Sequence, residues 1–163
     1  MATIVVSDTS PIRALAALGV LAWLHELFGE VLVPPAVADE LLHPPGDLTV
    51  VDVSDWEWML VRVPANAARV AQLRGKLDVG ESEALALAEE CRADWVLIDE
   101  LAGRSAAKDS GLPVMGTLGV ILKAHEQQLC GNVRSLLDRL QNEARFFIAP
   151  KLREHLLRQV GEE

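Results

Sequence analysis

Thr3-Ile4-Val5-Val6-Ser7-Asp8-Thr9-Ser10-Pro11 passes from a β-branched run through an acid into residues that open helices. Ile4, Val5 and Val6 follow one another without polar alternation, the mark of a strand buried on both faces. Thr9 or Ser10 can cap the helix that follows, and Pro11 suits its first turn. Ile12, Leu15, Ala16 and Leu18 then continue at helical spacing as far as Gly19. The same order returns far downstream, where Trp95-Val96-Leu97-Ile98 ends in Asp99 and a helical pattern runs on to Ser110.

Between and beyond these two stretches the alternation holds. A second helix is predicted over about 21–28, closed by Gly29, and Val31-Leu32-Val33 is a further buried strand stopped by Pro34 and Pro35. Val37, Leu41 and Leu42 mark one face of the next helix, which ends before Pro44-Pro45-Gly46. The region 47–64 is less regular: a polar stretch, 52–55, precedes an edge strand at 59–63. Helical patterns cover 65–76 and 81–92, Gly111 to Met115 holds a short strand, and Gly116-Thr117 opens another helix. Two amphipathic helices at 133–144 and 150–160 complete the pattern. Strands alternating with helices predict an α/β fold, with a central parallel sheet flanked by helices on both faces. One domain over 1–163 is expected, its C-terminal helices, about 132–160, packed on the same body.

Composition agrees with a globular chain of 163 residues, half of them apolar and about a quarter charged. Aromatics are scarce and Tyr is absent, so Ala, Leu and Val must build the core. Cys91 and Cys130 fit no metal or redox spacing and are expected to be small buried thiols in a reducing compartment. No segment reaches the roughly 18 apolar residues of a membrane span, and a soluble, cytoplasmic protein is expected. The net charge of -9 argues against holding nucleic acid on a broad basic surface. It leaves a nuclease open, because acids gathered at one site add negative charge that bound cations reverse locally.

Two strands end directly in an acid, Asp8 and Asp99, and the crevice of an open α/β sheet lies beyond the carboxyl ends of its strands. Either acid alone could equally be a helix cap. Glu40 stands beside Asp39 on a helix, so one of the two can point inward while the other is solvated. Glu81 opens a helix within Asp78-Val79-Gly80-Glu81-Ser82-Glu83, where capping by Asp78 or Ser82 is the plain alternative.

Taken together, Ser7-Asp8-Thr9-Ser10-Pro11, Val33-Pro34-Pro35-Ala36-Val37-Ala38-Asp39-Glu40-Leu41, Asp78-Val79-Gly80-Glu81-Ser82-Glu83-Ala84, Ile98-Asp99-Glu100 with Gly103-Arg104, and Gly116-Thr117-Leu118-Gly119 give the chain a family resemblance. It resembles the PIN-domain ribonucleases, the group that holds the VapC-like toxin halves of many prokaryotic toxin–antitoxin pairs, over nearly its whole length. The resemblance implies an acidic cluster of Asp8, Glu40, Glu81 and Asp99 that is both catalytic and metal-binding. Glu83 competes with Glu81, which is preferred because its separation from Asp99 is similar to that in the toxins. Thr9 or Ser10 would supply a hydroxyl near the metal, and Arg104 would pair with a site carboxylate or a substrate phosphate. Thr117 also fits the subfamily pattern. A small antitoxin partner and a homodimer are implied in the same way.

Chemistry gives the cluster a reason. Carboxylates a few Å apart repel one another and take up protons unless cations compensate them. Mg2+ or Mn2+ suits an all-oxygen site and can activate water for attack on an RNA phosphodiester. His25, His43, His125 and His155 are dispersed, so zinc is not indicated, and no Gly-x-Ser-x-Gly elbow supports a serine hydrolase. The leading expectation is a Mg2+- or Mn2+-dependent, single-strand-acting endoribonuclease, with single-stranded or structured RNA as its partner. A catalytically silent PIN-like module that binds nucleic acid or protein is the alternative. A phosphoaspartate enzyme using Asp8 is weaker, because Thr9-Ser10 follow where a second Asp would be needed. Trp56 and Trp58 are expected to pack beside an edge strand, ahead of serving as a stacking surface.

Overall fold

The computed structural model describes residues 3–162. Five short strands, β1 (Val5–Ser7), β2 (Val31–Val33), β3 (Met59–Val61), β4 (Trp95–Leu97) and β5 (Val114–Met115), form one sheet in the order β3-β2-β1-β4-β5. Every pairing is parallel, with Val6 beside Leu32 and Val96 in register. Between them run α1 (Thr9–Ala17), α2 (Trp23–Phe28), α3 (Pro35–Leu42), α4 (Ala67–Leu73), α5 (Val79–Cys91) and α6 (Leu101–Asp109), and α7 (Thr117–Glu126) follows β5. Two more helices, α8 (Val133–Asn142) and α9 (Pro150–Gln159), complete the α/β domain.

Successive strand residues feed opposite faces, as the pleat requires. Val5, Val31, Val33, Met59 and Leu97 join α1, α2, α3, α7, α8 and α9 in one apolar core. Val6, Leu32, Val96 and Ile98 join α4, α5 and α6 in the other. The central strands β1 and β2 are therefore buried throughout and apolar but for Ser7, whereas β3 grades from buried Met59 to exposed Val61 as an edge strand should. Val133, Leu136, Leu137, Leu140, Leu156 and Leu157 lie in the same core as Ile12 and Leu15, so the last two helices belong to this body.

Several boundaries move for local reasons. Asp8, not Thr9 or Ser10, occupies the N-cap of α1, and α1 begins at Thr9. Asn66 accepts from the Arg69 amide and starts α4 later than the pattern suggests, and Asp78 accepts from the Glu81 amide and starts α5 earlier. The polar stretch holds a short 3-10 turn, Val53–Asp55, because Asp52 accepts from the Ser54 amide. Trp56 and Trp58 are half-buried and pack edge to face, and His25 stacks on Trp58 with ring centres 5.6 Å apart. Cys91 and Cys130 are free but only half-buried. Among the described residues no helix is long and apolar enough to cross a membrane.

Candidate functional site

The strand order builds outward from β1 in one direction through β2 and β3 and in the other through β4 and β5. The switch in direction falls between β1 and β4, the place where a crevice opens beyond the strand ends. Asp8 follows β1, and its amide donates to the Leu97 carbonyl of β4 at 2.9 Å. Asp99 follows β4 after Ile98, whose amide is held by the Met115 carbonyl of β5 at 3.0 Å. Both strand-terminal acids thus flank the switch point.

Asp8 has the extended backbone of an N-cap, yet its side chain makes no capping bond to α1. It is 4 % exposed. Burial pushes its carboxyl up to about 7, the neighbouring Thr9 amide pulls it down, and the charges of Asp78, Glu81 and Glu40 add to the rise. Glu40 reaches the same place from α3. The Thr9 hydroxyl donates to its Oε2 at 2.8 Å, and Arg13 Nη2 donates to its backbone carbonyl at 2.8 Å. Asp39 faces solvent, where its carboxylate meets the His43 ring.

Glu81 is buried in the first turn of α5. Capping there is done by Asp78, whose Oδ1 accepts from the Glu81 amide at 2.8 Å, so the Glu81 carboxyl has no role as a cap. Burial raises this carboxyl to about 7, with Asp78, Glu100 and Glu40 contributing. Glu83 is employed elsewhere: its Oε1 accepts from the Ala36 amide at 3.1 Å and so ties the first turn of α3 to α5.

Asp99 stands one strand over and is held differently. Its Oδ1 accepts from the Thr117 amide and its Oδ2 from the Thr117 hydroxyl, both at 2.7 Å. Burial raises its carboxyl, while the Thr117 bonds, the Ser10 hydroxyl and the Arg104 charge oppose that rise. Arg104 Nη1 is itself fixed on the Ile98 carbonyl at 3.1 Å. The fold therefore couples Asp8, Glu40 and Glu81 through their charges, whereas Asp99 follows the adjacent strand under the local control of Thr117, Ser10 and Arg104. Among the described residues none of the four forms an ion pair with Lys or Arg.

Three glycines make the room. A Cβ on Gly80 would lie 2.6 Å from Glu40 Oε1, and one on Gly116 would lie 2.9 Å from Asp99 Oδ1. A Cβ on Gly103 would strike Ile98 Cδ1 and come within 3.5 Å of Glu81 Oε2. Each lies in a motif that sequence reading singles out, but spacing alone assigns them no role. Asp78 and Glu100 are also part of the electrostatic cluster without having been expected there.

The donor chemistry fits a hard divalent cation, since every carboxylate in the cluster offers oxygen and the gathered negative charge exceeds what Arg13 beside Glu40 and Arg104 beside Asp99 offset. As the side chains stand, no three His, Cys, Asp or Glu among the described residues are arranged to hold an ion. The carboxylates would have to turn toward one another to hold an ion.

A family model described as a PIN domain matches residues 4–162. No curated protein matches the chain.

Proposed function

The chain belongs to the PIN-domain family, whose fold is of the nuclease type, and from that premise we propose that it is a metal-dependent endoribonuclease. The observation that carries this reading is the meeting of Asp8, Glu40 and Glu81 at the switch point, none of them in an ion pair with Lys or Arg among the described residues, with Asp99 at the end of the adjacent strand. Structural carboxylates in such a position would be neutralised by Arg or Lys, or used as caps. Here the α5 cap is Asp78 and the Asp8 side chain caps nothing, while Asp99 alone also accepts the first amide of α7 beside Arg104.

In this reading Asp8, Glu40, Glu81 and Asp99 hold Mg2+ or Mn2+, which when bound supplies charge neutralisation and a more acidic water for phosphodiester hydrolysis. The chain's own groups set the donors. Thr9 orients Glu40 through its hydroxyl, Thr117 fixes both oxygens of Asp99, and Arg104 stands ready to pair with a substrate phosphate. Ser10 lies close enough to Asp99 to favour its charged form. An RNA substrate, a small antitoxin that holds the toxin inactive, and a homodimer follow from the family resemblance.

The test is cleavage of a panel of single-stranded and structured RNAs with Mg2+, Mn2+ or chelator. Metal-dependent cleavage that Asp8→Asn abolishes is the expected result. Absence of cleavage with either ion would overturn the enzyme and leave a binding module. Co-purification with the product of an adjacent short reading frame tests the antitoxin.

A further inference from the structure

A groove of about 590 Å3 leads outward from Asp99 and Glu100, between α1 and the segment that joins α8 to α9. On the α1 side it is lined by Ser10, Arg13, Ala14 and Ala17, one helix face on which only Arg13 is long. Arg13 is held on the Glu40 carbonyl by Nη2, and its Nε is buried with no partner among the described residues.

The facing wall is the irregular segment 143–147 after α8, with 47–49 beside it. Phe146 packs against the main core and its amide donates to the Leu140 carbonyl at 3.1 Å, while Ile148 is 2 % exposed. Phe147, between these two anchors, is turned outward and is 83 % exposed. One exposed apolar side chain is ordinary on any surface. This one lines the groove that ends at Asp99, on a segment pinned at both sides.

Charge completes the picture. Asp47 is paired with Arg145 at 3.1 Å and Glu143 with Arg139 at 3.2 Å, both pairs exposed. The outer groove is therefore close to neutral apart from Arg13. A neutral slot with an aromatic face suits a planar, uncharged group, and a guanidinium between it and the acidic end suits a phosphate.

Building on the nuclease reading above, we propose that Phe147 is a stacking platform for a nucleobase of single-stranded RNA. The flanking phosphate passes Arg13, and the scissile phosphate lies at the Asp99 end. Stacking requires an unpaired base, so the platform selects single strands over duplex without reading sequence.

The experiment measures binding of a fluorescent uridine hexamer to the full chain carrying Asp8→Asn, by anisotropy, so that turnover does not intervene. Phe147→Ala is expected to weaken binding about 5- to 100-fold and Phe147→Trp to restore it. A hexamer of abasic sugar-phosphate should bind weakly and show no dependence on residue 147. Equal affinity of the Phe147→Ala and Phe147 chains, or no binding by either, overturns the platform. A change only in self-association on Phe147→Ala also overturns it and assigns the residue to a protein contact. Cleavage by the chain with native Asp8 is read separately. Cleavage indifferent to Phe147 leaves the nuclease and removes the platform, whereas binding that depends on Phe147 without cleavage does the reverse.

Discussion

Replacing Asp8 by Asn should make the metal-free protein more stable, and by more as the pH rises. In the unfolded chain this carboxyl ionises around 3.8, and in the folded chain around 7. Between those values the folded state keeps a proton that the unfolded state has lost, so folding weakens as pH rises, and the loss is complete above about 7. Each tenfold change in proton affinity is worth about 1.4 kcal/mol. The Asp8 carboxyl therefore costs about 2 kcal/mol of stability at pH 5.5, where folding must take up a proton, and about 4 kcal/mol at pH 8, where it stays ionised. Asn has the same shape without the charge, and the Asp8 side chain makes no cap bond whose loss would offset the gain. Glu81 gains as well, because one of the carboxylates that surround it is gone.

The assay is urea denaturation of both proteins in chelator at pH 5.5 and pH 8. The gap should widen by about 2 kcal/mol between them, and at pH 8 the melting temperature of Asp8→Asn should exceed that of wild type by roughly 8–16 °C. Millimolar Mg2+ should narrow the gap, since an ion that binds only the folded state stabilises it, and the intact cluster binds it better. A variant no more stable than wild type at pH 8, or a gap unchanged by pH, would refute the argument. Asp8 would then be a structural acid that the fold accommodates without strain.

Gly80→Ala should leave the melting temperature nearly unchanged, the helix gain of up to about 1 kcal/mol offsetting the shift of Glu40, while RNA cleavage drops at least ~10-fold. Thr117→Val removes the hydroxyl on Asp99 and should cost about 1–3 kcal/mol by denaturation. The same change should lower metal affinity by about 10–100-fold by titration. Glu81→Gln should abolish metal-dependent cleavage with a gain in stability at pH 8. Glu83→Ala should do the opposite, losing about 1 kcal/mol with the α3 first-turn bond and keeping cleavage.

What the sequence makes plain and what it hides divide along physical lines. Val5-Val6 and Val96-Leu97 are unbroken apolar runs because their strands are covered on both faces, so two core strands and their terminal acids could be read directly. Glu40 could be told from Asp39 in principle, since it lies three residues after Val37, beside Leu41, on the buried side of α3. β3 was harder to place, because an edge strand needs only one buried face and Val61 is exposed. The order of the strands left no trace in any one segment; it emerges from which runs pair, and only then does the switch point fall between Asp8 and Asp99.

The glycines were illegible for a different reason. Gly80, Gly103 and Gly116 are required for the space their missing Cβ leaves, and the atoms that use it come from residues distant along the chain. Gly80 clears Glu40 from α3, and Gly103 clears Ile98 and approaches Glu81 from α5. A side chain at Gly80 would displace the Glu40 carboxylate, and one at Gly116 would displace Arg104 and Asp99, from the places where the fold holds them. The folded chain instead keeps like charges close in a buried crevice, at a cost in stability. Such a cost makes sense where a cation offsets it, which is why the stability of this site, and not only its activity, should respond to metal.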